Sequence, residues 1–172
     1  MLNFSASNKR VFKIVRVMCI ILCYLLIADK VVYAKTIEFN RDVKNYQFKL
    51  QILNQQHQKI TEFDTAIAND QDKRATGLMN VEDFDDNQAM LFIFDETKIV
   101  SMWMKNTKIP LDMIFIDENN KIVNIKHNAT PHSLKIISSQ VPVKYVLEIN
   151  AGLSHKRGIN IGHTIKYEKI RH

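Results

Sequence analysis

The sequence predicts a mainly β protein, a single domain with a sandwich or barrel-like antiparallel fold and one or two short helices. Three observations predict it. Short apolar segments alternate with turn-forming clusters along most of the chain, the rhythm of sandwiches and barrels. Segments such as "YQFKLQI" at residues 46–52 alternate apolar and polar side chains with the two-residue period of a half-buried strand. Helical spacing is confined to "NDQDKRATGLM" and to a single turn in "LSHKRG".

The N-terminal stretch stands apart from that pattern. "KRVFKIVRVMCIILCYLLIADKVVYA" begins with Lys9, Arg10, Lys13 and Arg16, then runs apolar from Val17 to Ala28. This run is shorter than the roughly 20 residues that a bilayer-spanning helix needs. A basic segment, a short apolar one and the small residues Val32 and Ala34 predict a secretory signal at residues 1–34, cleaved after Ala34. The chain is then expected to be exported, periplasmic or extracellular. An uncleaved anchor lengthened by Val31 to Ala34 is the alternative, and it would give the only membrane contact. Residues 35–45 read as a polar tether, and 46–172 as the domain.

Removing the signal changes the charge. The chain carries 24 basic and 18 acidic residues, a net +6; the first 34 hold five of the bases and one of the acids, so the remainder stands at +2. Nucleic-acid binding needs a basic patch that survives in the folded domain, and the sequence offers none. Cys19 and Cys23 both fall in the apolar run, so the expected domain has no thiol for a disulfide, a nucleophile or a thiolate metal site.

Along the domain, Tyr46, Phe48, Leu50 and Ile52 share one parity and predict the first strand; Phe63, Thr65 and Ile67 mark the second. Asn69 as a cap, Asp72 in the first turn and Ala75, Leu78 and Met79 at helical spacing predict a short helix that Gly77 ends. "QAMLFIF" is apolar on both parities, hence a strand covered on both faces, and "KIVSMWM" reads as another. Pro110 has no amide to donate, so "NTKIP" is a loop or bulge. "LDMIFID", "ENN" and "KIVNIK" read as strand, tight turn and strand, with Asn119 and Asn120 suited to left-handed turn geometry. Val143 to Asn150 alternates cleanly, and "HTIKYEKI" closes the domain as a strand. About eight short strands result.

One segment mixes charge into a core-like run. "SMWMKNTKIPLDMIFID" embeds Lys105, Asn106, Thr107 and Asp112 around Trp103, the sole tryptophan. A lysine beside an indole can lay its methylenes along the ring and keep its ammonium at an opening. Asp112 and Glu148 are the acidic candidates to pair with it. Buried unpaired charge costs several kcal/mol, roughly, so these groups must be paired, exposed or at a pocket mouth. One reading has them bonding the backbone of an irregular loop around Pro110. The other has Arg74, Lys105, Asn106 and Asp112 converging on a pocket beside Trp103.

"RATGLM", "AMLFIF", "MWMKNTKIPLDMIFID" and "VLEINAG" resemble the signature segments of the DUF192 family, small and often exported prokaryotic domains. The resemblance runs from about Phe48 to about Ile165. It implies a mostly β, sandwich-like domain and no established activity. The matching positions are Arg74, Gly77, Leu78, Met79, Met90, Leu91, Phe92, Trp103, Met104, Lys105, Asn106, Thr107, Pro110, Leu111, Asp112, Glu148 and Gly152. The chain departs from the family pattern at Asn80, Ala89, Met102 and His163, and the last removes a carboxylate.

Other chemistry finds thin support. His127 with His132, and His155 with His163, lack ligand-pair spacing, so no metal site and no cofactor are expected. The domain's methionines suit an irregular core better than copper(I). No G-x-S-x-G frames Ser133, Ser138, Ser139 or Ser154. The expectation is therefore a domain that binds a small polar or anionic molecule, or an envelope component, through Arg74, Trp103, Lys105, Asn106, Thr107, Asp112 and Glu148. The alternatives are an envelope hydrolase using Asp112 and Glu148 as acid and base, or a structural module of the cell envelope.

Overall fold

The computed structural model describes residues 46–171, together with Met18, Ile20, Tyr24 and residues 26–31, which are helical and exposed. The cleavage point after Ala34, the tether at 35–45 and most of the basic and apolar signal residues lie outside the described residues. Among the described residues, no helix is long and apolar enough to cross a membrane. The chain divides into two units, Met1–Glu38 and Phe39–His172, and the fold below is that of the second.

Seven strands form one curled sheet: β1 (Phe48–Leu53), β2 (Lys59–Ala68), β3 (Gln88–Met102), β4 (Leu111–Ile116), β5 (Ile122–Ala129), β6 (Ile137–Asn150) and β7 (Thr164–Lys169). Two short helices interrupt them, α1 (Gln71–Thr76) after β2 and α2 (Leu153–Lys156) after β6. The strand order is β5-β4-β6-β3-β2-β1-β7. The mainly β, barrel-like expectation holds. Three details differ. "QAMLFIF" and "KIVSM" belong to one long β3, carried past irregularities in its pairing with β6, and Trp103 and Met104 fall in the loop after it. β6 begins at Ile137, earlier than its clean alternation suggests. And β2 pairs with β3 in parallel, because α1 and the segment after it carry the chain back before β3 begins, whereas a hairpin would have reversed it.

Local chemistry fixes the turns. Between β1 and β2, Asn54 Oδ1 accepts from the amides of Gln56 and Gln58, with His57 at φ 59°. Between β4 and β5, Asp117 Oδ1 accepts from the amides of Asn119 and Lys121, and Asn120 takes φ 62°. Asp70, one residue after the expected Asn69, caps α1 by accepting from Lys73 N at 2.8 Å.

Because side chains alternate across a strand, the sheet separates two apolar clusters. The inner one draws on all seven strands, including Leu50, Phe63, Leu91, Ile114, Ile122, Leu147 and Ile165. The outer one joins Ala66, Met90, Phe92, Met113, Phe115 and Val146 to Leu78, Phe84 and Met104 from the loops above. Three methionines, Met90, Met104 and Met113, are fully buried there as filler. The curl brings the ends of the sheet together along a short seam: Lys121 bridges Thr164, Ile122 N donates to His163 O and Gly162 N to Ile122 O, both at 2.8 Å, and Ile165 N donates to Asn120 O at 2.9 Å.

Candidate functional site

The site lies on the outer face, where two loops and α1 fail to cover the sheet completely. Its floor is set by register. Glu148 on β6 stands between Met90 on β3 and Met113 on β4, on the face that carries the outer cluster. Its side chain is nearly enclosed, the residue being 4% exposed. Among the described residues it has no hydrogen-bond or ion-pair partner. Burial without compensation penalises the carboxylate, and the carboxyl is pushed up to about 8. Glu148 is therefore largely a neutral acid at neutral pH, able to donate as well as accept.

One wall comes from α1. The helix ends at Gly77, whose φ of 48° is a left-handed conformation costly to a residue with a Cβ. A Cβ there would stand 3.0 Å from the Phe92 ring, so glycine also lets the helix end settle on β3. Arg74 folds back from α1: Nη1 donates to Asn69 O and Ile93 O, Nη2 to Asp95 Oδ2 at 3.0 Å, and the guanidinium lies 5.7 Å from the Phe94 ring.

The opposite wall is the loop after β3. Met104 plugs into the outer core while its amide donates to Ser133 O. Thr107 N donates to Met104 O, closing a turn in which Asn106 takes φ 55°. Asn80 N donates to Asn106 O and ties this loop to the segment after α1. Trp103, 45% exposed, forms the rim, and Lys105 Nζ sits 5.3 Å from its ring.

These elements enclose a cavity of about 110 Å³ open to solvent. Arg74, Trp103, Lys105, Thr107 and Glu148 line it; Asn106 and Asp112 do not. Asn106 turns the backbone. Asp112 is fully buried, and the pleat explains its displacement: it pairs with Ile149 while its neighbour Met113 pairs with Glu148, so the two carboxyls face opposite sides of the sheet. Asp112 Oδ1 accepts from Asn128 N at 2.9 Å; Oδ2 accepts from Gly152 N at 3.0 Å, Ser154 N at 3.1 Å and Ser154 Oγ at 2.6 Å. Burial would raise this carboxyl, but the Ser154 hydroxyl and the amides outweigh it and hold it below the usual range. The expected place of Asp112 beside Lys105 and the alternative of an acid/base pair with Glu148 are thus corrected: Asp112 anchors the backbone on the far side.

Sequence reasoning missed Phe94 and Ser101, which face the cavity from β3. It also missed the contact of His127 Nδ1 with Ser154 Oγ at 2.9 Å, beside Asp112. Neither motif nor spacing announces such contacts, since they depend on register between distant strands.

The search of curated proteins found no match. A family model, DUF192, described as uncharacterised, matches residues 52–167. Among solved structures, a "putative transcription regulator" from Sinorhizobium meliloti is 38% identical, with a TM-score of 0.68, over 70% of this chain and 93% of that one. A protein of unknown function from Novosphingobium aromaticivorans is 30% identical, with a TM-score of 0.65, over 69% of this chain and 83% of that one.

Proposed function

The chain belongs to the DUF192 family, whose model carries no activity, and from the site itself we propose that it is a small-molecule-binding domain whose ligand enters beside Trp103 and reaches Glu148. One observation carries the reading: a carboxyl with 4% of its residue exposed lines an open cavity and has no partner among the described residues. Buried polar groups are nearly always satisfied, and an unsatisfied one costs about 1–3 kcal/mol. A ligand that hydrogen-bonds Glu148 recovers that loss. The aromatic rim, apolar walls and few polar groups fit a binding pocket.

Three supports narrow it. The pairing of Asp112 with amides leaves Glu148 alone as a candidate acid or base, which favours binding over the hydrolase. Pairs such as Lys49 with Asp64 and Lys156 with Asp86 set acids beside bases, which favours a partner other than nucleic acid despite the description of the Sinorhizobium protein. Export rests on the N-terminal sequence pattern, and it would place the ligand in the cell envelope or outside it.

The test is a small-molecule screen read by Trp103 emission, repeated on Glu148→Leu, with circular dichroism to show that the variant is folded. Binding is expected in the native chain and lost in Glu148→Leu. Compounds that bind both equally, or a screen in which none binds, would overturn the reading.

A further inference from the structure

We propose that the cavity selects a small organic carboxylate, held by a hydrogen bond donated from the Glu148 carboxyl at its floor and admitted past the cationic rim of Lys105 and Arg74. This rests on the binding reading above and adds the charge of the ligand.

The first argument is the rim. Lys105 has no acidic partner among the described residues, and its ammonium lies over Trp103. Arg74 is joined to Asp95, whose side chain is 78% exposed and does not line the cavity. The potential at the mouth is therefore positive and favours an incoming anion.

The second argument excludes the opposite ligand. A buried carboxyl near aromatic rings is the usual receptor for an ammonium group. Here the rings are already taken by the protein's own cations: Lys105 at 5.3 Å from Trp103, Arg74 at 5.7 Å and Lys98 at 6.0 Å from Phe94. Of the aromatic residues that line the cavity only the Phe92 ring carries no cation, and a cationic ligand would meet like charge at Trp103 and at Phe94. An anionic oxygen meets none, and gains the acid's O–H in a charge-assisted bond.

The third argument is the environment of the donor. The titratable groups facing Glu148 across the cavity are Arg74 from α1 and Lys105 from the loop after β3; its sheet neighbours, Met90 and Met113, carry no charge. Burial keeps the proton on the carboxyl up to about 8. Size sets the class. A cavity of about 150 Å³ holds benzene, so 110 Å³ suits a chain of a few carbons, with anything larger lying outward along Trp103.

Three probes of like size and different charge test this by Trp103 emission: propionate, propionamide and propylammonium. Propionate is expected to bind best, and propylammonium least. Binding that requires the protonated acid weakens about tenfold per pH unit above 8, so propionate should lose about thirtyfold between roughly pH 6.5 and 9.5. Glu148→Gln, a neutral donor of the same shape, should keep propionate binding within a few-fold and remove that pH dependence. Preference for propylammonium, or propionate binding that is flat with pH in the native chain, would overturn the carboxylate inference while leaving a binding cavity. Absence of any response to all three, with the wider screen also silent, would overturn both.

Discussion

Replacing Glu148 by glutamine should stabilise the domain, and by an amount that grows with pH. The unfolded chain releases this proton near the ordinary value of 4.5, the folded chain near 8. Between those values the folded state holds one more proton, so raising the pH favours unfolding. The contribution of the acid is fully present below 4.5 and is lost as pH rises through 8. Each pH unit across that window removes about 1.4 kcal/mol, for a total near 5 kcal/mol, an upper bound because water at the cavity mouth screens the carboxylate. Urea unfolding followed by Trp103 emission, on the native chain and Glu148→Gln at steps across the window, gives the difference in stability at each pH. The expected difference is small at acid pH, climbs steadily and levels off above 8. A difference that stays constant would mean that Glu148 titrates normally in the folded state, and the reasoning about a buried carboxyl with no partner among the described residues would fail.

Other sites give further outcomes. Asp112→Ala strands the amides of Asn128, Gly152 and Ser154 and should destabilise the domain by about 3 kcal/mol or more, a fall in Tm of roughly 10 °C by calorimetry. Because the Asp112 carboxyl sits below its ordinary 3.8, its stabilisation holds at neutral pH and disappears only as acid takes the pH down through the folded value; Asp112→Asn should flatten that acid limb in a stability-versus-pH series. Gly77→Ala forces a Cβ into a left-handed position 3.0 Å from Phe92 and should cost about 1–2 kcal/mol or more, checked by denaturant midpoint. Met104→Ala empties a fully buried position and should cost about 2–5 kcal/mol, with faster amide exchange at residues 103–107 as the signature of a released loop wall.

Much of the fold could be read from local pattern, and the site only in part. The alternation at Tyr46–Ile52 and the two-sided apolar run of "QAMLFIF" report burial directly, because a strand's faces are written in its own sequence. Asn119 and Asn120 likewise announce their turn, whereas the part of Asp117, read as the end of the strand, is to accept from the amides of Asn119 and Lys121. What escaped depends on partners far along the chain. Asp112 meets amides at positions 128, 152 and 154, and nothing near Asp112 names them. Whether Asp112 and Glu148 share a face is a question of register between β4 and β6, which a single sequence does not encode locally. Arg74, Trp103, Lys105, Thr107 and Glu148 were reached because charge beside large apolar residues demands an explanation wherever it occurs. Phe94 and Ser101 were not, because an aromatic or a serine on a strand demands none.

The short seam between residues 120–122 and 162–165 leaves a vulnerability elsewhere. A curled sheet joined over so few residues still has two borders whose amides and carbonyls could recruit a neighbouring molecule, the first step toward polymerisation. Lys126 on one border and Lys166 and Lys169 on the other are exposed, with Glu168 an exposed acid between the last two, so positive charge predominates on both borders. Repulsion between like-charged borders is the guard expected against edge-to-edge assembly where so short a seam leaves backbone unpaired.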